Sequence, residues 1–253
     1  MNLLIDIHCH LHYYSPKDLN NIIENAKKVG LACILTNGID PKTNRVTLSI
    51  AEKYDIVKAA LGIYPINRIT KKANFDGSEA YKEIGWIEKN KDCIIAIGEC
   101  GLDGLNKDNF CEQKKIFEEL IALSERIKKP LIVHSRKAEA SVLDMLESSN
   151  VKRVLLHCFC GKKSLVKKAL DLGFYFSIPT NIVRAQNFKM ISDIVDINHL
   201  FCETDSPYLS PFRNLKNQPA FVIESYKKIA EIKSMELNEV INNIWMNFKK
   251  LFW

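Results

Sequence analysis

The sequence has no apolar run long enough to cross a bilayer. Stretches such as 131–133 and 154–156 are a few residues each, against the roughly 20 that a membrane helix needs. It has no basic amino-terminal stretch leading to a cleavage pattern, because Met1-Asn2 runs straight into an apolar strand pattern, so export is not expected. Its eight cysteines include no Cys-x-x-Cys pair, and Cys9, Cys33, Cys93, Cys100, Cys158 and Cys202 lie in or beside apolar runs. That usage reads as reduced, mostly buried thiols in a cytoplasmic protein, not as a disulfide framework. There is no Pro/Ser-rich linker, no short-period repeat, and no Gly-rich loop after the first strand pattern, which argues against a dinucleotide-binding sheet. Charge of one sign is scarce as well. Lys and Arg number 36 against 30 Asp and Glu, a formal +6. Much of the excess sits on helical faces such as Lys162-Lys163 and Lys167-Lys168, which is compatible with a phosphate-bearing substrate without requiring one.

What is present is ordinary globular material, 47% hydrophobic and 26% charged, arranged in a regular alternation. Eight short runs rich in Ile, Val, Leu or Phe fall at 3–7, 32–36, 57–61, 94–97, 131–133, 154–156, 174–177 and 200–202. They have the character of strands buried on both faces of a parallel sheet. Amphipathic helical stretches separate them. The first is opened by Ser15-Pro16 and closed at Gly30, and Gly173 stops another. Eight such units in 253 residues predict an α/β fold, a (β/α)8 TIM barrel forming one domain over residues 1–253.

Four of the six histidines fall where strands are expected to end: His8 and His10, His134, and His157. Glu99 and Asp205 hold equivalent places after the fourth and eighth strands. Side chains two apart share a strand face, so Asp6, His8 and His10 project together, as do Ile97 with Glu99 and Glu203 with Asp205. All six donors can therefore meet at the C-terminal rim, where barrel enzymes place their chemistry. Buried carboxylates cost several kcal/mol each unless compensated, and divalent cations supply that compensation. Six donors are too many for one tetrahedral ion and suit two, with one carboxylate shared. Imidazoles favour Zn2+, whereas the carboxylates suit Mg2+ or Mn2+.

The same segments resemble the TatD-type metal-dependent hydrolases of the amidohydrolase superfamily. The resemblance rests on Ile5-Asp6-Ile7-His8-Cys9-His10-Leu11, Gly98-Glu99-Cys100-Gly101-Leu102-Asp103, Val133-His134-Ser135-Arg136, His157-Cys158-Phe159-Cys160-Gly161 and Glu203-Thr204-Asp205-Ser206-Pro207. It implies a nuclease with two divalent metal ions that hydrolyses phosphodiester bonds of DNA, a 3′–5′ exonuclease. By the same resemblance His8, His10, Glu99 and Asp205 would hold one metal, and Glu99, His134 and His157 the other. Glu99 would bridge, and Asp205 would take the proton of the attacking water. Asp6 and Glu203, which share faces with these donors, are expected to orient the imidazoles. The chain departs from the family pattern at three places. His12 stands where Asp is usual, Tyr64 where His is usual in a Gly-x-His-Pro string, and Gly104 where an aromatic is usual.

Substrate contacts are expected from Arg136, whose fork of donors suits phosphate oxygens, and from Tyr64, which can donate a hydrogen bond but carries no charge at neutral pH. Arg184 and Arg213 are weaker candidates for phosphate, and Tyr208 and Phe159 for stacking on a base. His12 is expected on an exposed loop and His199 on the opposite rim, without a catalytic role. The protein reads as a monomeric, cytoplasmic hydrolase with nucleic acid as substrate and no membrane partner. Two rival readings stay open: a two-metal ester or amide hydrolase, such as an aminoacyl-tRNA deacylase or lactonase, and an inactive barrel serving as a binding module.

Overall fold

Strand and helix alternate along the described chain, which in this computed structural model comprises residues 3–66, 77–105 and 108–253. The order is β1 Leu4–Cys9, α1 Pro16–Lys28, β2 Leu31–Asn37, α2 Pro41–Lys53, β3 Val57–Leu61, α3 Ser78–Lys89, β4 Ala96–Gly101 and α4 Phe110–Ile127. It continues with β5 Leu131–His134, α5 Glu139–Glu147, β6 Val154–Leu156, α6 Lys163–Asp171, β7 Tyr175–Pro179, α7 Gln186–Ile194, β8 Leu200–Glu203, α8 Ile223–Lys233 and α9 Leu237–Phe252. The strands form one sheet in the order β1 to β8, parallel at each of its seven pairings. The sheet curls back on itself: Asp205 N donates to His8 O at 2.9 Å and His10 N to Ser206 O at 2.8 Å. This is the (β/α)8 barrel.

Local chemistry explains the helix boundaries. Ser15 Oγ accepts from Asp18 N and Pro16 occupies the first helical position of α1. Asp40 and Thr43 form a reciprocal capping box at α2, which also begins with a proline. Nearly every strand position is buried, so a charged group inward or a gap outward is costly all along the sheet. The buried Tyr226 hydroxyl exchanges two 3.1 Å hydrogen bonds with the Ile5 backbone and ties α8 to β1. No helix among the described residues is long and apolar enough to cross a membrane.

Several strands run further than their apolar runs. β1 continues through His8 to Cys9, β4 through Glu99 to Gly101, β5 to His134 and β8 to Glu203. The backbone ladder carries on past the point where the side chains turn polar. Glu99 and His134 are thereby fixed by strand geometry and not by loops, as is His8. Two glycines let the strands close at this level. A Cβ on Gly62 would lie 2.4 Å from Glu99 O, and one on Gly101, whose φ is +133°, would lie 2.0 Å from His134 O.

Candidate metal centre

The six donors expected to meet do so at the C-terminal mouth of the barrel. His8 Nε2 and His10 Nε2 are 3.3 Å apart. His8 Nε2 lies 3.5 Å from Glu99 Oε2 and 3.7 Å from Asp205 Oδ1, and His10 Nε2 lies 3.3 and 3.4 Å from the same two atoms. The other oxygen of Glu99 faces a second group: Oε1 is 3.1 Å from His134 Nδ1 and 3.8 Å from His157 Nε2. His8 and His157 stack face to face with ring centroids 3.6 Å apart.

These spacings test whether a cation suits the site. Two atoms each ~2.1 Å from one ion at the tetrahedral angle lie about 3.4 Å apart, and the five contacts among His8, His10, Glu99 and Asp205 run from 3.3 to 3.7 Å. Most are longer than charge-assisted hydrogen bonds prefer. Two imidazole nitrogens aimed at one another cannot both carry a proton comfortably, whereas both can point lone pairs at one cation. The tautomers agree. His10 Nδ1 donates to Asn37 O at 3.1 Å and His157 Nδ1 to Glu203 Oε2 at 2.8 Å, which leaves each Nε2 free to ligate. The residues fit divalent cations held by imidazole and carboxylate.

The electrostatics point the same way. Burial opposes the charged form of His10, but Asp205 and Glu99 outweigh it and pull its pKa up to about 10. His157 is buried too, and Glu203 with Glu99 lifts it to about 9. Burial alone would raise Glu99, yet His10, His134 and His8 hold it well below the usual carboxylate range, and Asp205 is likewise lowered against its burial by His10 and His157. His8 is the exception, lowered by burial and by the charge of His157. A centre this negative attracts protons when no metal cation is there.

A sequence model of the TatD-related DNases matches residues 5–253. The chain belongs to the TatD-related DNase family. It is 32% identical over 249 residues to an uncharacterized metal-dependent hydrolase of Methanocaldococcus jannaschii, covering 98% of this chain and 96% of the relative. It is 30% identical over 261 residues to the deoxyribonuclease TATDN3 of Homo sapiens, covering 98% and 94%. In fold it is similar to a TatD homologue of Escherichia coli, at TM-score 0.88 and 22% identity over 99% of this chain and 98% of that one. A TatD-family hydrolase of Entamoeba histolytica superposes at TM-score 0.86 with 19% identity, covering 100% and 98%. The TatD-family chain is thus a metal-dependent hydrolase, and it requires a divalent metal.

Around the donors, this TatD-family barrel places three buried acids with different tasks. Glu203 holds His157 as expected, and its Oε2 also accepts from Ser177 Oγ. Asp6 does not orient an imidazole ring. Its carboxylate accepts from Thr204 N at 2.9 Å and from Thr204 Oγ1, and lies 3.4 Å from His8 N. It therefore clamps β8 to β1, because the pleat that aims His8 at the mouth leaves Asp6 one layer deeper. Asp103, to which the sequence reading gave no role, is the partner of His134: its Oδ2 lies 3.1 Å from His134 Nε2 and 3.5 Å from the Tyr64 hydroxyl. The signal was available, since Asp103 closes the Glu-Cys-Gly-Leu-Asp string. Asp103→Asn is expected to weaken metal binding about 10- to 100-fold, as loss of a ligand's outer partner does elsewhere. Titration of the metal-free protein with Mn2+ followed by calorimetry would measure it, and an unchanged affinity would contradict the pairing.

A cavity of about 620 Å3 opens over the donors, its wall including Tyr13, Tyr64, Arg136, Cys160, Asn187 and Tyr208. Arg136 is exposed at this wall, and Tyr64 packs edge-on to His134 with centroids 4.8 Å apart. Other expectations need correcting. Phe159 is buried against Phe176 and cannot reach a base. The two terminal guanidinium nitrogens of Arg184 donate to the loop after β8, at Pro211 O and Ser210 O, so the side chain pins that loop. Arg213 is exposed but not part of the cavity wall. His12 is half-buried, tucked against His10 and Tyr13, and burial next to His10 lowers its pKa to about 3. His199, as expected, lies before β8 and bonds Phe174 O, away from the mouth.

Proposed function

We propose that this hydrolase cuts phosphodiester bonds at the 3′ ends of DNA strands, using two divalent cations shared across Glu99. The observation that carries the reading is the division of one buried carboxylate: Oε2 faces His8 and His10, and Oε1 faces His134 and His157. When bound, Mg2+, Mn2+ or Zn2+ ions supply Lewis-acid polarisation of the phosphoryl oxygens and lower the pKa of water. The chain's own groups do the rest. His8, His10 and Asp205 would hold one ion and His134 and His157 the other, each with an oxygen of Glu99. Asp205 is partly exposed to the cavity, with its Oδ1 3.4 Å from His10 Nε2, and its carboxylate would also take the proton of the attacking water. Arg136 would grip non-bridging phosphate oxygens with its paired donors, and the Tyr64 hydroxyl would donate a hydrogen bond to the same group. The concave mouth at the barrel end suits a strand terminus better than an uninterrupted duplex, and a relative carries the name deoxyribonuclease.

Strands labelled at the 3′ or the 5′ end, incubated with each metal beside Glu99→Ala and Asp205→Ala, test this. Progressive loss of the 3′ label, abolished in both variants, is expected. Loss of the 5′ label first, or variants as fast as the unaltered protein, would overturn the reading. Ester or amide substrates cleaved in place of strands would favour the lactonase or deacylase rival.

Tyr13 and Tyr208 stand side by side at the rim, both exposed, with ring centroids 5.9 Å apart at 75°. A base stacked on such a ring contributes ~1–3 kcal/mol. Tyr208→Ala is accordingly expected to raise KM for single strands about tenfold. Hydrolysis of a strand whose terminal nucleotides are abasic, which has no base to stack there, should be unchanged. Equal loss on both substrates would contradict the assignment.

A further inference from the structure

Tyr208 and Asp205 share a segment without regular structure, and one buried side chain ties that segment down. Residues 204–218, between β8 and α8, form neither strand nor α-helix, and within them Asp205, Leu209 and Asn214 have left-handed φ values of +51°, +51° and +64°. No ladder holds these residues. Asn217 supplies the hold instead. Its side chain is buried, and Nδ2 donates to Tyr208 O at 2.7 Å, to Thr204 O at 2.8 Å and to Thr180 Oγ1, just past β7, at 2.9 Å. Thr180 Oγ1 extends the tie by donating to Leu209 O at 2.8 Å. The backbone of Asn217 takes part as well: its N donates to Pro207 O at 3.2 Å, and its O accepts from the Tyr14 hydroxyl. Tyr14 adjoins Tyr13. A single residue is therefore bonded to Tyr208 and to the neighbour of Tyr13, the two rim aromatics whose rings lie 5.9 Å apart. Asp205 has supports of its own. Its N donates to His8 O, and the adjoining Thr204 is clamped by Asp6.

We propose that Asn217 is a positioning residue for strand binding, whose side-chain amide holds Tyr208 beside Tyr13 at the rim. This role rests on the reading of those tyrosines as the surface on which a base stacks. A ring already fixed in place costs less ordering when a base settles on it than a ring that must be immobilised on binding. The position calls for a donor. Alanine there would leave Tyr208 O and Thr204 O without this partner, and aspartate would set a carboxylate against three oxygens. The metal donors keep their own bonds in either case.

The test measures KM and kcat of the Mn2+-loaded protein on single strands with ordinary ends and on strands whose terminal nucleotides are abasic, beside amide hydrogen exchange read by peptide mass spectrometry. Asn217→Ala should raise KM for ordinary strands about tenfold, with kcat within about twofold and KM for abasic-ended strands moved less than about threefold. Added to Tyr208→Ala, it should cost less than about twofold more, because a residue acting through another has no further effect once that one is gone. Exchange across 205–216 should quicken at least about tenfold while β1 and β4 stay as they were. Tyr14→Phe, which keeps the ring and all of Asn217, serves should the alanine variant fail to fold; it should raise KM for ordinary strands about threefold. Unchanged exchange in the loop, KM raised equally on both kinds of strand, losses that multiply to about a hundredfold in the double variant, or an unchanged KM in Tyr14→Phe would each overturn the role. Tyr208→Ala without effect on KM would remove the stacking reading and this role with it, whereas any of the other outcomes beside an effective Tyr208→Ala removes the role alone.

Discussion

Replacing Glu99 by Gln is expected to lower kcat/KM by at least about a thousandfold, more than removal of any single histidine, because the amide deprives both donor groups at once. The side chain keeps its shape and its place in β4, yet one of its two oxygens becomes a donor that repels a cation. Oε2 serves His8 and His10 while Oε1 serves His134 and His157, so neither group can be spared. His134→Ala, by contrast, strips a donor from one group only. Metal content after gel filtration, measured beside activity, separates the two cases: His134→Ala should retain about one ion and Glu99→Gln fewer, if each group binds independently. The metal-free Glu99→Gln protein should melt lower than the unaltered one, since loss of the carboxylate leaves the protonated rings of His10 and His157 buried with less counter-charge. A variant within tenfold of the original activity would remove Glu99 from the centre of the mechanism.

Metal loading should also depend steeply on pH. In the metal-free chain the pKa values of His10 and His157, raised to about 10 and about 9, leave both rings protonated at pH 7. A cation takes the Nε2 lone pair, so each of these protons must depart. Binding therefore releases protons, and affinity rises with pH until the solution passes the raised values. Below them, each proton displaced strengthens binding about tenfold per pH unit. Calorimetry in two buffers of different ionisation enthalpy counts those protons directly. About one proton per ion at pH 7 is expected, and an affinity flat between pH 6 and 8 would show that the rings are already neutral.

The six donors could be read from the chain because barrel chemistry gathers at strand ends and a strand's period of two leaves little freedom over which face a residue takes. The extent of the strands was harder to see. Hydrophobicity drops where β1 and β4 become functional, although the hydrogen-bonded ladder continues, so the apolar runs stop short of His8 and Glu99 and mark only the strand ends. Partners across the barrel were harder still. Glu203 and Asp6 share the same one-dimensional pattern, but one reaches an imidazole ring and the other a backbone amide and a hydroxyl. Asp103 meets His134 only because β4 and β5 lie side by side. Arg184 shows the converse. A cation on a late loop looks available for phosphate, yet both its terminal nitrogens donate to backbone carbonyls.

The seam between β1 and β8 has a bearing on biosynthesis. His8 and His10 are translated well ahead of Asp205 and of the Thr204 that Asp6 clamps, which come nearly two hundred residues later. The donor group built across that seam is incomplete until the last strand has been translated and docked. A nascent or prematurely terminated chain that lacks Asp205 should thus be unable to acquire its full complement of ions.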